Sequence, residues 1–376
     1  MPVSMDNRPS RSRSIVAAIL TFLILVPMGY LFYRVWQTNA ESRSNTKLER
    51  QGVEYVTALA PLVSALAEAQ SSALQGASAA PAALSASVAR VREVDQRLGT
   101  SLGTRDRWTG LRDKIDQLSA LTANPVSVYQ AYVAATNLTL ALYDTVRNNS
   151  TLIRDPDNDL SNLQRAVAVD LPSTMVQVSR MGDLSLLVAK AQGSPAQQAT
   201  LGPQFGTAAQ SVTTFVNALT DDLQAAVDHT TSPTLSGNLV TTLDSFRQGV
   251  ESLTRGANPG GQPNAATMAT AQSQLQSSLR SLAGTLVREM DGLLQDRLNR
   301  LDTERWAALA AAGAAVVLTL AALAVGLTGR RRYRMPPPSD EATRDMSVRP
   351  PGYANLIDPS YGEVDRTRQE RSGALR

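Results

Sequence analysis

Between residues 37 and 305 the aliphatic side chains recur at intervals of three and four, the period of one helix face and not of a strand. Val56, Leu59, Val63 and Leu66 form one such series, and Leu160, Leu163, Val167 and Leu171 another. Leu239, Leu243, Phe246, Val250 and Leu253 make a third, and Leu275, Leu279, Leu282, Leu286, Met290 and Leu293 a fourth. Ser, Thr, Gln, Ala, Arg and Asp fill the positions between, so each helix has one side to bury against neighbours. The pattern predicts an all-α bundle. Turn-forming clusters at Gly76 to Pro81, Asn124-Pro125, Asp155-Pro156, Gly193 to Pro195, Ser232-Pro233 and Asn258 to Pro263 divide it into about seven helical pieces. The first and last pieces, 37–75 and 264–305, are the longest and would each extend on the order of 60 Å. The shorter pieces must pack on these two, giving one elongated bundle or two stacked four-helix modules; the unequal lengths favour stacking.

Two further stretches have no polar face. Ile15 to Phe32 is apolar enough to cross a bilayer and ends in Arg34, Val35 and Trp36; Pro27 and Gly29 would at most kink it. A cleaved signal peptide would need a shorter apolar core and a small-residue cleavage site, of which Thr38-Asn39-Ala40 is only a faint version. Trp306 to Thr328 is a second apolar run, followed at once by Arg330, Arg331, Arg332 and Arg334. Within it Ala322 and Gly326 form a small pair that suits close helix packing. The helices bordering the bundle, 37–75 and 264–305, run directly into these two segments.

Charge then changes from a hint of nucleic acid into a topological signal. The net charge is +3, yet residues 1–14 hold three arginines against one aspartate and residues 330–376 ten arginines against seven acids, which leaves the middle slightly acidic. Basic flanks at both outer ends place both termini in the cytoplasm. The resulting plan is a cytoplasmic tail (1–14), a first span (15–36), an extracytoplasmic helical domain (37–305), a second span (306–329) and a cytoplasmic tail (330–376). No nucleic-acid partner is expected. The tail carries Pro336-Pro337-Pro338 and Pro350-Pro351-Gly352-Tyr353 amid mixed charge, a composition that favours disorder, and its last proline run has the form of a WW-domain ligand. Thr343, Ser347 and Tyr361 could accept phosphate there.

Composition excludes much chemistry. The chain has no cysteine and one histidine, so thiol catalysis, disulfides, cysteine-held metals and most histidine triads are out of reach. Asp155-Pro156-Asp157-Asn158-Asp159 opens like a calcium loop, but Leu160 and Ala166 stand where that loop needs glycine and glutamate. A helix-to-helix turn capped by Asp157 or Asp159 is the expected reading. His229, just before Ser232-Pro233, fits a helix C-terminus, and Asp221-Asp222 reads as solvated charge. No phosphate-cradling loop or dinucleotide fingerprint is present, so neither enzyme activity, a metal nor a cofactor is expected. Tyr55, Tyr129, Tyr132, Tyr143, Arg147, Asn148 and Asn149 are the groups suited to line an interhelical pocket for a small polar ligand, with Tyr55, Arg147 and Asn149 the candidate binding residues. The alternative for the tyrosines is an ordinary core position with a hydroxyl that reaches solvent.

Glu49-Arg50-Gln51-Gly52-Val53-Glu54-Tyr55, with Leu59, Pro61-Leu62 and Ala65-Leu66, resembles the first helix of an extracytoplasmic helical sensory domain. Such domains belong to bacterial chemoreceptors, sensor histidine kinases and diguanylate cyclases. The resemblance continues at Arg107-Trp108 with Leu111, at Asn149-Ser150 with Leu152 and Asp155-Pro156-Asp157, and at Leu171-Pro172. It ends at Met290-Asp291-Gly292-Leu293-Leu294, Arg297 and Leu301. The tyrosine-rich stretch usual after the Asp-Pro-Asp turn is replaced here by Leu160-Ser161-Asn162-Leu163-Gln164. The cytoplasmic tail is also too short for a signalling module. The resemblance implies a receptor-like protein of a bacterial plasma membrane, a homodimer or the partner of a separate receptor or transmitter, that binds a small molecule or protein outside. A structural membrane scaffold that recruits envelope or cytoplasmic proteins through its bundle or tail is the alternative.

Overall fold

The computed structural model describes residues 11–77, 81–118, 124–152, 158–230, 232, 234–258 and 262–328, and these are helix joined by short turns, with no strand among them. The chain begins with α1 (Arg11–Leu74), α2 (Ala82–Leu98), α3 (Arg105–Leu118) and α4 (Pro125–Asn149). A continuous helix follows, made of α5 (Asn158–Arg165), a π turn (Ala166–Asp170) and α6 (Leu171–Lys190). It is succeeded by α7 (Pro195–His229), α8 (Leu235–Ala257) and α9 (Ala265–Thr328). The expected turn at Asp155-Pro156-Asp157 and the tail 330–376 lie outside the described residues, as does most of the tail 1–14.

Local chemistry explains where the helices start and stop. Asn124 accepts a hydrogen bond from the Ser127 amide at 2.9 Å, and Pro125 takes the first helical position, where its missing N–H costs nothing. Asn258 ends α8 in the left-handed region with φ 47°, and Asn264 caps α9 by accepting from the Thr267 amide. One turn escaped the periodicity argument. The piece expected from 82 onward is broken into α2 and α3 at Gly99–Thr104, where Gly103 takes φ +59°, a backbone state costly for residues with a Cβ.

The helices run up and down, each meeting the next. α1, α2, α3 and α4 close on one another as a four-helix unit, and α6 packs on α1, α4 and α7. Gly249 lets α8 approach Leu275 of α9, while the Gln276 side chain on α9 donates to the Met175 carbonyl of α6 at 2.7 Å, so α6 to α9 form a second unit. The two units lie side by side and not stacked end to end. They meet where α6 packs on α1 and α4. α1 sits between them, and Leu59, Leu62 and Leu66 on it are fully buried together with Val91, Leu111 and Leu142 on one side and Val178, Leu275 and Leu279 on the other. Each such side chain contributes roughly 1.5–3 kcal/mol of burial.

α1 and α9 are antiparallel partners. Arg305 stacks on the Trp36 ring at 4.4 Å, Asn39 donates to the Leu301 carbonyl, and Arg43 pairs with Asp302 at 3.0 Å. Farther along, Glu49 faces Arg297 and Arg50 pairs with Asp291 at 3.1 Å. Among the described residues one helix, α9, contains a stretch long and apolar enough to cross a membrane, and none of that stretch is buried. The first apolar run lies in α1, where the side chains through Phe22 and that of Ile24 are outside those described. From Leu23 to Val35 the large apolar residues of that run are mostly exposed, as are Trp306, Val316, Val317 and Leu318 on α9.

Candidate functional site

The α1–α9 seam opens into a groove of about 330 Å³, lined by Ser64, Glu68 and Ser71 of α1 and by Gln272, Gln276 and Arg280 of α9. The volume lies in the range of small-molecule sites. Its wall is polar because α1 and α9 place Ser and Gln at the positions where aliphatic residues occupy the rest of the seam. Gly182 on α6 makes room for the Gln272 carboxamide, which a Cβ at that position would overlap.

Asp183 of α6 lies against this wall. It is 1 % exposed, and its carboxylate accepts from Ser71 at 2.7 Å and from Ser179 at 3.2 Å. Burial pushes its pKa up to about 7, against the opposing effect of the two hydroxyl donors. The acid therefore changes charge near neutral pH, directly beneath Ser71, a groove residue. At the upper end Lys190 donates to the Leu74 carbonyl at 2.6 Å and holds the last turn of α1 to α6.

A second buried acid lies at the π turn. Asp170 has its pKa raised by burial and then by Asp222 of α7, while Arg165 opposes the shift. One carboxylate oxygen of each aspartate is buried without a hydrogen-bond partner, and that of Asp222 lies 3.7 Å from Arg165 Nε. Asp222 is thus not the solvated charge that its sequence context suggests, whereas its neighbour Asp221 is exposed. A single helical turn rotates adjacent residues by about 100°, which separates their environments. His229 is the last residue of α7 and is exposed.

The three residues read from sequence as ligand contacts are placed elsewhere. Tyr55 is fully buried and donates to Asp95 at 2.8 Å, which also accepts from Thr104 at 2.6 Å, so α1 is tied to the α2–α3 turn. Asn149 donates to the Leu102 carbonyl in the same turn at 2.7 Å. Tyr55 and Asn149 are therefore brought to one structural junction, and their polar atoms face protein. Arg147 pairs with Asp144 one turn back on α4 at 3.0 Å. None of the three lines the α1–α9 groove. Tyr143 is also fully enclosed, and burial drives its hydroxyl pKa well upward, whereas Tyr129 lies near Arg180 and Asp183. The groove residues were legible only as interruptions: Gln272, Gln276 and Arg280 sit at helix spacing inside an otherwise aliphatic seam. No family model, curated protein or solved structure matches the chain.

Proposed function

We propose that the chain is a two-pass membrane protein whose helical ectodomain binds an external signal in the α1–α9 groove and relays it inward to a separate signalling protein. The observation that carries this reading is the continuity of α1 and α9. Each is a single helix of 64 residues that runs from the groove to an exposed apolar segment. Exposed Leu23, Leu31 and Val35 on α1 and Val316, Val317 and Leu318 on α9 suit contact with lipid, and the arginines beyond each segment suit a cytoplasmic surface. A ligand that draws the two groove walls together would alter the pairing of the same two helices at the membrane. Shifts of about 1–2 Å along rigid helices are enough for a partner to read. A homodimer or a complex with a complete transmitter supplies the output, and the bundle itself needs no cofactor.

The absence of cysteine makes the test clean. Full-length chains with one cysteine, in place of Ser72 or of Ser347, are treated in intact cells with a membrane-impermeant maleimide. Labelling at 72 and protection at 347 is expected. Labelling at both positions, or only at 347, overturns the topology. Cysteines replacing Asn39 and Leu301 then form a disulfide reporter of the α1–α9 pair, whose rate should change with a groove ligand and stay constant for a passive spacer.

A further inference from the structure

Asn39 of α1 donates to the Leu301 carbonyl of α9 at 3.2 Å, and beside that bond the α1–α9 seam opens a second time, into a cavity of about 410 Å³. The volume falls in the range of small-ligand sites. Side-chain size leaves it open. Farther into the bundle Leu294 and Leu298 of α9 are buried in the seam, whereas Thr38 and Ser42 of α1 and Ala308 of α9 stand at the cavity. The cavity lies where both helices pass into their exposed apolar segments. Leu31, Tyr33 and Val35 of α1 and Trp306 and Leu309 of α9 are exposed there.

Two guanidinium groups line this cavity, Arg34 from α1 and Arg305 from α9. Arg305 is half-buried with its cation 4.4 Å from the centre of the Trp36 ring, and Trp36 in turn tilts against Phe32, the ring centroids 6.1 Å apart. The ring positions the cation but supplies no oxygen to its N–H groups. Among the described residues neither Arg305 nor Arg34 donates a hydrogen bond or lies within ion-pair distance of a carboxylate. Nearby Asp302 is taken by Arg43 at 3.0 Å. Glu304 also lines the cavity, so two guanidinium groups against one carboxylate leave a positive charge that a single monoanion balances. Arginine forks suit the oxygens of a phosphate or carboxylate. Location decides between a dissolved anion and a lipid: the exposed apolar side chains beside the cavity suit acyl chains, and Tyr33, Trp36 and Trp306 suit a lipid–water boundary. An ethanolamine or choline headgroup would bring its own positive charge and leave the excess in place; a glycerol headgroup would not.

We propose that Arg34 and Arg305 bind the phosphodiester of an anionic, glycerol-headed phospholipid at the membrane end of the α1–α9 pair. The two non-ester oxygens accept from the two guanidinium groups, the glycerol hydroxyls donate to Glu304, and the acyl chains run along Leu31 and Leu309. A lipid held there braces the pair where both helices leave the bundle. The inference rests on the two-pass reading, which the maleimide labels at 72 and 347 test without touching this cavity. Expected labelling without lipid selectivity fails the site alone, and labelling that overturns the topology fails the reading.

The test titrates the full-length chain in nonionic detergent with dioleoyl phosphatidylglycerol, phosphatidylethanolamine or phosphatidylcholine and counts bound lipid by native mass spectrometry. A single phosphatidylglycerol per chain should be retained at concentrations where the two zwitterionic lipids are lost. Its affinity should fall about tenfold in Arg305→Gln and a few-fold in Arg34→Gln, while Arg300→Gln, on the exposed surface outside the cavity, binds like the parent. Excess glycerophosphoglycerol, the same headgroup without acyl chains, and excess inorganic phosphate should leave the lipid bound. Equal retention of the three lipids by the folded parent, an equal loss in Arg300→Gln, or displacement by either soluble phosphate overturns the proposal, the last by making this a site for a dissolved anion. So does unchanged affinity in Arg305→Gln or, should that variant not fold, in Arg34→Gln, whose exposed position spares the packing.

Discussion

Replacing Asp183 with asparagine should make the helical bundle less sensitive to alkali. In the fold this carboxyl is almost fully enclosed and titrates at about 7, against 3.8 for the free side chain. The folded state therefore holds a proton that the unfolded state has already released, and the stability this provides is complete below 3.8 and lost as pH rises through about 7. A shift of roughly three units at about 1.4 kcal/mol each corresponds to about 4 kcal/mol in all, of which about 3 kcal/mol falls between pH 5 and pH 8. Asparagine mimics the neutral acid, with its carbonyl oxygen accepting from Ser71 and its amide donating to Ser179, and does not ionise. Thermal melts of the full-length chain in nonionic detergent, followed by circular dichroism at pH 5, 6, 7 and 8, read the difference directly. For a domain of this size, 3 kcal/mol corresponds to roughly 5–10 °C of melting temperature. The parent should lose that much more than Asp183→Asn across the series. Asp170 titrates in both proteins and cancels from the comparison. Parallel pH profiles, or an Asp183→Asn chain that is the less stable of the two at pH 8, would refute the assignment of the neutral-pH transition to Asp183.

Three other outcomes follow from the same packing. Asp222→Asn removes the acid that faces Asp170, so the pKa of Asp170 should fall and the remaining alkaline loss of stability should shrink; a melt series identical to that of the parent would contradict the effect of Asp222 on Asp170. Tyr55→Phe takes one of two hydroxyl donors from buried Asp95 and should cost about 1–2 kcal/mol in denaturant unfolding, with no change expected in any ligand response. Gly182→Ala should push the Gln272 carboxamide out of its place and cost about 1–3 kcal/mol in thermal unfolding, with the groove's ligand response altered as well.

The helical class and most turns were legible because periodicity and capping act over a few residues. Asn124-Pro125 and Asn258 end or begin helices where their side-chain and φ preferences place them. The α2–α3 turn was carried by Gly99 and Gly103 but hidden by the continuing aliphatic period of Val94, Leu98 and Leu102 on either side. The site was much less legible. Tyr55 and Asn149 looked suited to a ligand by residue type, yet what decides their role is the partner each meets across 40 and 47 residues of chain. Asp183 and Arg180 drew no notice because one aspartate or arginine on a helix normally points to water. Their burial is set by α1 and α4, which the local pattern of α6 does not encode. The side-by-side arrangement of the two helical units was hidden for the same reason, since helix lengths alone do not say which neighbour each face meets.

The α1–α9 pairing also bears on how the chain is made. The bonds from Asn39 to Leu301, Arg43 to Asp302 and Arg50 to Asp291 span 262, 259 and 241 residues. During synthesis α1 emerges first, but the partner for its α9-facing side arrives only when nearly all the bundle has left the ribosome. Contacts of such long sequence separation are slow to form and leave apolar surface uncovered in the interval. The first four helices can close locally while α1 waits, so the second unit is the vulnerable half of biogenesis. A chain cut before Ala265 would retain the local turns but leave Val53 and Ala67 of α1, both buried beside α9, next to an unfilled seam.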